Sequence, residues 1–375
     1  MWRSLGGANG DNNNIRGCSM RATKKRGALL ETLGKVKSAV AAKHTLPIVR
    51  AILIRAGGGQ LTLTGTDLEV ALTASCKASV SRQGAIAVFP QTLEAFLKAV
   101  KSETVTLSLV NDGKSLRVEA GAVTTIEGQE ATEFPEIEGV RGKPVVVTGL
   151  ANGLKQITYA MAKDDGRPVL NGVFFHPNGG NLVLAAADGL RLAETKVKAK
   201  GCVEETVVPA KAVQLVEKLM PGKVSVHRVK EPREGHRGTI SFVSDGLVLT
   251  AMVIEGKYPN YEQVIPKNGS PLVVDGKALK DALDTVAITL PDNKAVRLQS
   301  GRGKLTVSTK RDDGSSEIKV PAKGKAMIAF NMQFLKDVLA KVSGNVTLRT
   351  KDAQSPGVVR QNGTIHVMMP MSVEW

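Results

Sequence analysis

Apolar positions along this chain keep a helical spacing of three and four residues in six short stretches, and the stretches are of two kinds. The first kind follows a strand-like apolar run. Val88-Phe89-Pro90 leads into Leu93, Phe96, Leu97 and Val100, and Val208-Pro209 leads into Val213, Val216 and Leu219. Ala329-Phe330-Asn331 leads into Phe334, Leu335, Val338 and Leu339. These phrases recur about 120 residues apart. The second kind is Leu30-x-x-Leu33, Leu154-x-x-Ile157 and Leu279-x-x-Ala282-Leu283, recurring about 125 residues apart. Two independent markers on one period predict three copies of one domain, each long enough to enclose a core.

Between the helices, alternating apolar and polar residues predict strands. The first copy is expected to hold a helix over 28–42 and strands over 47–55 and 60–74 around Gly57-Gly58-Gly59. The helix after Pro90 follows, then a hairpin of 104–109 and 115–120 around Asn111-Asp112-Gly113, closing at Phe134-Pro135. The second copy is expected to hold helices over 151–163 and 210–220, and strands over 169–176, 181–187 and 191–197. It carries turns at Asn178-Gly179-Gly180 and Asp188-Gly189, a charged solvent loop over 227–237, and a close at Tyr258-Pro259. The third reads as helices over 277–287 and 332–342, strands over 295–299, 304–308 and 365–371, and a turn at Asp312-Asp313-Gly314. The irregular alternation and the hairpins predict an α+β fold with mostly antiparallel sheets. The expected division is a disordered extension over 1–19, then domains over 20–141, 142–266 and 267–375. The extension is rich in Gly and Asn without periodicity, and patterned sequence begins after Met20.

Charge narrows the partners. The net charge is +16, divided as +1 over 1–19, +4 over 20–141, +4 over 142–266 and +7 over 267–375. A basic excess spread over all copies suits a polyanionic partner, and equally suits a solvated basic surface. Aromatic residues are 3%, too few to line base-stacking platforms, so a nucleic-acid partner would be duplex. No run is long enough to cross a membrane as a helix. Cys18, Cys76 and Cys202 form no pair motif, so a reducing, cytoplasmic setting is the default.

Catalytic constellations are missing from the pattern. His44, His176, His227, His236 and His366 lie far apart, without metal-ligand spacing. No P-loop and no nucleophile elbow occurs. Asp164-Asp165 and Asp312-Asp313 read as loop acids, and Asp67 as a turn or cap residue. No metal and no cofactor is expected, and a binding protein is favoured over an enzyme.

Against this background the chain resembles the bacterial sliding clamp family, the beta subunit of DNA polymerase III. The resemblance runs from Met20 to Val373. It is carried by Thr45-Leu46-Pro47-Ile48, Leu63-Thr64-Gly65-Thr66-Asp67-Leu68-Glu69, Arg167-Pro168-Val169-Leu170-Asn171-Gly172-Val173, Ala187-Asp188-Gly189-Leu190-Arg191-Leu192-Ala193, Tyr258-Pro259-Asn260-Tyr261, Ile265-Pro266-Lys267-Asn268 and Val367-Met368-Met369-Pro370-Met371. It implies three similar domains per chain, a head-to-tail homodimer ring and a non-catalytic role tethering polymerase to duplex DNA without sequence preference. On this reading lysines of the predicted helices (35 and 37, 98 and 101, 155 and 163, 211 and 218, 277 and 280, 336 and 341) face the DNA. Lys43 and Arg167 match DNA-contact positions of the family and rank first, with Lys98, Lys155, Lys211, Lys280 and Lys336 behind them. A solvated helix face is the plain alternative for these lysines.

The resemblance also implies a groove for short peptide motifs of the polymerase III alpha subunit, the clamp loader and repair proteins. The matching positions are Leu170, Ala187, Gly189, Leu190, Arg191, Leu192, Pro259, Gln263, Val264, Pro356, Val367, Met368, Met369, Pro370, Met371, Ser372 and Val373. Methionines adapt to varied side chains, which suits a site with several partners. Read from pattern alone, Asp188-Gly189 is a hairpin turn and 367–371 a buried last strand. The chain departs from the family at Gln263, where relatives carry Arg, and at Leu190, where His or Tyr is common. Ser372-Val373 and Glu374-Trp375 also depart, as does the basic charge. A paralogue without the groove, a nucleic-acid-processing enzyme and a monomeric DNA-coating protein are the competing readings.

Overall fold

The computed structural model describes residues 19–163, 166–228 and 238–373. Residues 1–18, Asp164-Asp165, most of the expected loop and Glu374-Trp375 lie outside them. Six helices carry the two apolar phrases: α1 (Arg26–Lys37), α2 (Pro90–Ala99), α3 (Leu150–Ile157), α4 (Ala210–Leu219), α5 (Gly276–Val286) and α6 (Met332–Leu339). Each buries most of its periodic residues, while Leu30, Phe96, Leu219 and Phe334 are half-buried. Leu29, Leu33 and Val36 of α1, Leu93 and Leu97 of α2, and Leu283 and Val338 of α5 and α6 are fully enclosed. Burial of each such leucine stabilises the fold by roughly 1.5–3 kcal/mol. Pro90 sits at the first turn of α2, where its missing N–H has no helical partner to lose. In the third copy side chains cap the starts: Asp275 accepts from Ala278 N–H at 2.8 Å, and Asn331 from Gln333 N–H at 2.9 Å.

The three copies share one register. Ile52–Gly57 pairs antiparallel with Gln60–Thr66 and with Gly84–Val88. Gly172–Asn178 pairs likewise with Asn181–Ala187 and Thr206–Pro209, and Ala295–Gly301 with Lys304–Arg311 and Met327–Asn331. Ile52 faces Val88, Val173 faces Val208, and Val296 faces Phe330. In each case the second residue stands two positions before α2, α4 or α6. A three-strand meander follows the second helix of every copy: Thr104–Val110 to Val123–Glu130, Lys223–Arg228 to Leu247–Met252, and Asn345–Thr350 to Thr364–Met368.

The chain divides into two compact units. One holds the first copy up to Lys143 together with Ser225–Met252; the other holds Pro144–Val224 and the chain from Val253. In the first unit, Val70–Lys77 pairs with Leu247–Met252 of the second copy's meander. In the second unit, Arg191–Lys200 pairs with Thr364–Met368 of the third copy.

Several local expectations need correction. Pro47–Arg50 and Pro168–Leu170 are 3-10 turns rather than strand starts, because proline presets the turn backbone and offers no N–H to a ladder. The run 60–74 is two strands, Gln60–Thr66 and Val70–Lys77, broken by a turn at Asp67-Leu68-Glu69. The Asp67 carboxylate accepts from Glu69 N–H at 3.1 Å and Val70 N–H at 2.8 Å. The helices stop early, so Lys101, Lys163 and Lys341 lie beyond α2, α3 and α6. His227 and Arg228 end a strand, whereas the remainder of the expected loop lies outside the described residues.

Gly153 in α3 sets how closely helix and sheet approach. A Cβ there would lie 2.6 Å from Val197 Cγ1 and 3.1 Å from Leu184 Cδ1. Gly153→Leu is therefore expected to destabilise by about 1–3 kcal/mol through overpacking, read as a lower urea midpoint. An unchanged or raised midpoint would refute the close approach.

Candidate functional site

The residues expected to form a groove gather around the junction where Arg191–Lys200 pairs with Thr364–Met368. Leu192 stands opposite Val367 and Arg191 opposite Met368, and beyond the ladder Met369 N–H donates to the Leu190 carbonyl at 2.9 Å. Ahead of it, Asp188 forms the turn: its carboxylate accepts from Leu190 N–H and Arg191 N–H, both at 2.9 Å, while Gly189 adopts φ +90°. The floor is one apolar cluster containing Leu170, Leu192 and Val367, with Ala187 packed against it. Three apolar side chains stay open to solvent: Leu190 at 57%, Val264 at 48% and Met369 at 37%. Pro259 and Gln263 are exposed, and Pro356, Pro370 and Met371 are half-buried. Leu170, Ala187, Leu192 and Val367 are thus brought into one cluster. Met368 turns into the third copy's core. Ser372 and Val373 line a separate cavity of about 330 Å³ with Lys310 and Arg311.

Arg191 ties the site together. Its Nε donates to Asp188 Oδ2 at 2.8 Å and its Nη1 to Asp337 on α6. The guanidinium lies over the rings of Phe334 at 4.5 Å and Tyr159 at 5.3 Å. Beside it, the Tyr159 hydroxyl and His366 Nδ1 are 3.0 Å apart. Burial, then the Lys341 charge, holds the His366 imidazole down to about 4 from 6.5. Below the floor, Tyr261 donates its hydroxyl to Glu194 at 2.9 Å and lies 2.8 Å from His176 Nε2. Burial, followed by the Glu194 charge, pushes the Tyr261 hydroxyl well above the ordinary range. Tyr258 stacks on Phe174 with centroids 4.8 Å apart.

The helical lysines are only partly available. Glu94 of α2 bridges Lys98 at 2.6 Å and Lys37 of α1, and Lys336 of α6 pairs with Asp284 of α5 at 2.6 Å. Lys155 and Lys280 are exposed, and among the described residues neither makes an ion pair; Lys211 is half-buried. Lys43 lies in an exposed coil, and Arg167 is exposed just before the 3-10 turn that delivers Leu170 to the groove floor. Among the described residues no group of His, Cys, Asp or Glu is placed to hold a metal.

Family models for the DNA polymerase III beta subunit match the chain in order: the N-terminal domain over 20–138, the central domain over 145–260 and the C-terminal domain over 262–372. The chain belongs to the DNA polymerase III beta subunit family. The beta sliding clamp of Pseudomonas putida is 30% identical over 373 residues, covering 94% of this chain and 100% of the relative. That of Pseudomonas aeruginosa is 29% identical with the same coverage. A DnaN sliding clamp from Bartonella birtlesii, solved bound to griselimycin, superposes with a TM-score of 0.87 at 26% identity, covering 95% of this chain and all of that one. The griselimycin-bound clamp from P. aeruginosa gives 0.86 at 27%, with the same coverage of both chains.

The sequence reading of this beta-subunit chain missed the groove's supports. Asp337 and Phe334 are separated from Arg191 by more than a whole domain of sequence, and no local pattern links them. A signal did exist for Tyr258 and Tyr261, since they stand out in a chain with three tyrosines.

The depressed His366 sets a pH dependence. Unfolded, the imidazole takes its proton near 6.5; folded, near 4. Stability from this residue is complete above pH 6.5 and falls as pH drops through the window to 4. The loss reaches about 3 kcal/mol, one pH unit being worth about 1.4 kcal/mol. His366→Gln should flatten the urea-stability profile between pH 6.5 and 4; a profile as steep as the parent's would exclude His366 as its source.

Proposed function

We propose that the chain is a DNA sliding clamp: two copies close head to tail into a ring around duplex DNA, and each offers a groove for peptide motifs of the replicative polymerase, clamp loader and repair proteins. The role is non-catalytic. The observation that carries the peptide reading is the groove's combination of a buried floor, Leu170, Leu192 and Val367, with solvent-facing Leu190, Val264 and Met369 beside it. Exposed apolar side chains rimmed by polar residues mark protein-binding surfaces. The site belongs to residues 142–266 and 267–375, the second and third of the proposed domains, with 20–141 as the first. Among the described residues no helix is long and apolar enough to cross a membrane, and a cytoplasmic location is part of the same proposal.

Ring closure draws on two open sheet edges. Val123–Glu127 of the first copy pairs only with Ser115–Glu119 among the described residues, and Gly314–Pro321 of the third only with Lys304–Arg311. Open edges are templates for pairing with another chain. An exposed apolar side chain is found near each, Val123 at 55% and Ile288 at 75%. A head-to-tail contact between unlike surfaces closes into a ring when its rotation permits.

Retention on DNA tests the proposal. With a clamp loader and ATP, the protein should stay on circular DNA through gel filtration and leave when the circle is cut. Ile288→Asp, expected to weaken the dimer, should prevent retention. Equal retention on linear and circular DNA would replace the ring with a coating protein. A second measurement reads the DNA-facing charge. Replacing Lys43, Lys155, Arg167, Lys211 and Lys280 with Ala should flatten the salt dependence of DNA binding, by about 0.9 in log-log slope for each phosphate that is no longer neutralised. An unchanged slope would remove these residues from the DNA face.

A further inference from the structure

The groove has an internal counterpart in the first copy, and the registers align residue by residue. Ile52 opposite Val88 matches Val173 opposite Val208, so Leu53 corresponds to Phe174 and Arg55 to His176. Leu53 faces Thr64 as Phe174 faces Ala185, which aligns Asp67 with Asp188. Both aspartates cap the same turn through the same two amides. Ala71 faces Thr250 as Leu192 faces Val367. Met252 N–H donates to the Glu69 carbonyl at 2.9 Å, as Met369 N–H does to Leu190. The closing segments also correspond, Phe134-Pro135-Glu136-Ile137-Glu138-Gly139-Val140 with Tyr258-Pro259-Asn260-Tyr261-Glu262-Gln263-Val264.

What differs is the filling. Around the later groove, Phe174 stacks on Tyr258, and Tyr261 is hydrogen-bonded to Glu194 and His176. At the matching first-copy positions stand Leu53, Phe134, Ile137, Thr73 and Arg55. Leu53, Ile137 and Thr73 are smaller than their counterparts while Arg55 is larger, and a cavity of about 960 Å³ lies between the sheet face and the segment after Glu130, within the usual size of a ligand site. Its apolar lining includes Leu53, Ala71, Phe134, Ile137 and Val140. Its charged lining is Asp112, Glu130, Glu136 and Glu138 against Arg55 and Lys114, an acidic excess on a chain of net charge +16. Such a rim repels nucleic acid and attracts a cation.

We propose that this cavity is a second peptide site, taking a short extended segment of a partner protein in which a bulky apolar side chain is flanked by Lys or Arg. The apolar side chain occupies the space that Phe174 and Tyr261 fill in the counterpart, and the cation meets Glu136 and Asp112 at the rim. The inference stands on the cavity, its charge and the internal register, and does not depend on what the later groove binds.

Fluorescence anisotropy of the full chain with fluorescein-labelled Gly-Ser-Trp-Leu-Lys-Arg-Gly tests it. Saturable binding is expected, at least tenfold weaker in Ala71→Phe, which fills the cavity, and at least tenfold weaker in Glu136→Lys, a surface change that leaves the core untouched. Val264→Glu, in the later groove, should bind as the parent does. A peptide with Glu in place of Lys and Arg should bind at least tenfold less tightly. No saturation by the parent protein, or equal binding by Glu136→Lys, overturns the proposal. Loss of binding in Val264→Glu would assign the peptide to the later groove and overturn it equally.

Discussion

The candidate groove depends on one constraint, the antiparallel register that carries the second copy's sheet into the third. Arg191–Thr195 and Thr364–Met368 stand opposite one another in antiparallel register, with main-chain hydrogen bonds at alternate pairs. Each bond contributes only about 1 kcal/mol net, but the pairing decides which side chains face outward. A slip of one residue would turn Leu192 and Val367 away from the floor and bring Arg191 out of its bonding geometry. The Met369-to-Leu190 bond continues the same pairing past the last ladder residue, and so keeps two exposed apolar side chains adjacent.

Arg191 then converts a strand junction into a rigid one. Asp188 caps the turn through its backbone amides and meets the guanidinium with its other oxygen, and Asp337 takes the remaining fork. The planar guanidinium can bond two carboxylates and stack between two rings at once, which an ammonium cannot do. The Arg191 side chain is 9% exposed, so its charge is matched by partners rather than by water. The turn, the second copy's strand and α6 of the third copy are thereby held as one piece.

Much of this was legible in the chain because core contacts impose periods. Leu33, Leu93, Leu154, Val213, Leu279 and Leu335 sit where a buried helix face needs them, and all are buried. What failed was local chemistry that competes with apolar patterning. Ile48 and Val49 look like strand residues, yet Pro47 starts a 3-10 turn there. The run through Asp67 looks continuous, yet Leu68 adopts φ +80°, a conformation rarely given to leucine. In the groove, the bare pattern offered a turn at Asp188-Gly189, which exists, and a buried last strand over 367–371, which instead ends at Met368 and leaves Met369 exposed. Their meeting, and the separate course of Ser372 and Val373, follow from strand pairing that no local window contains.

The distribution of charge bears on how such a protein can hold DNA without stopping on it. The six helices contain ten Lys or Arg and six Asp or Glu, a net of +4 out of +16. Glu94 and Asp284 further engage Lys37, Lys98 and Lys336 in pairs that must be broken or shared before a phosphate can be gripped. Exposed pairs of this kind are worth at most about 1 kcal/mol, so they soften each contact rather than forbid it. The larger part of the charge lies on strands and loops. It acts on a polyanion as a field that decays over about 8 Å at physiological salt, and not as a row of specific contacts. A smooth attraction with shallow local minima permits movement along a backbone whose sequence is never read, so holding must come from enclosure and not from strong contacts.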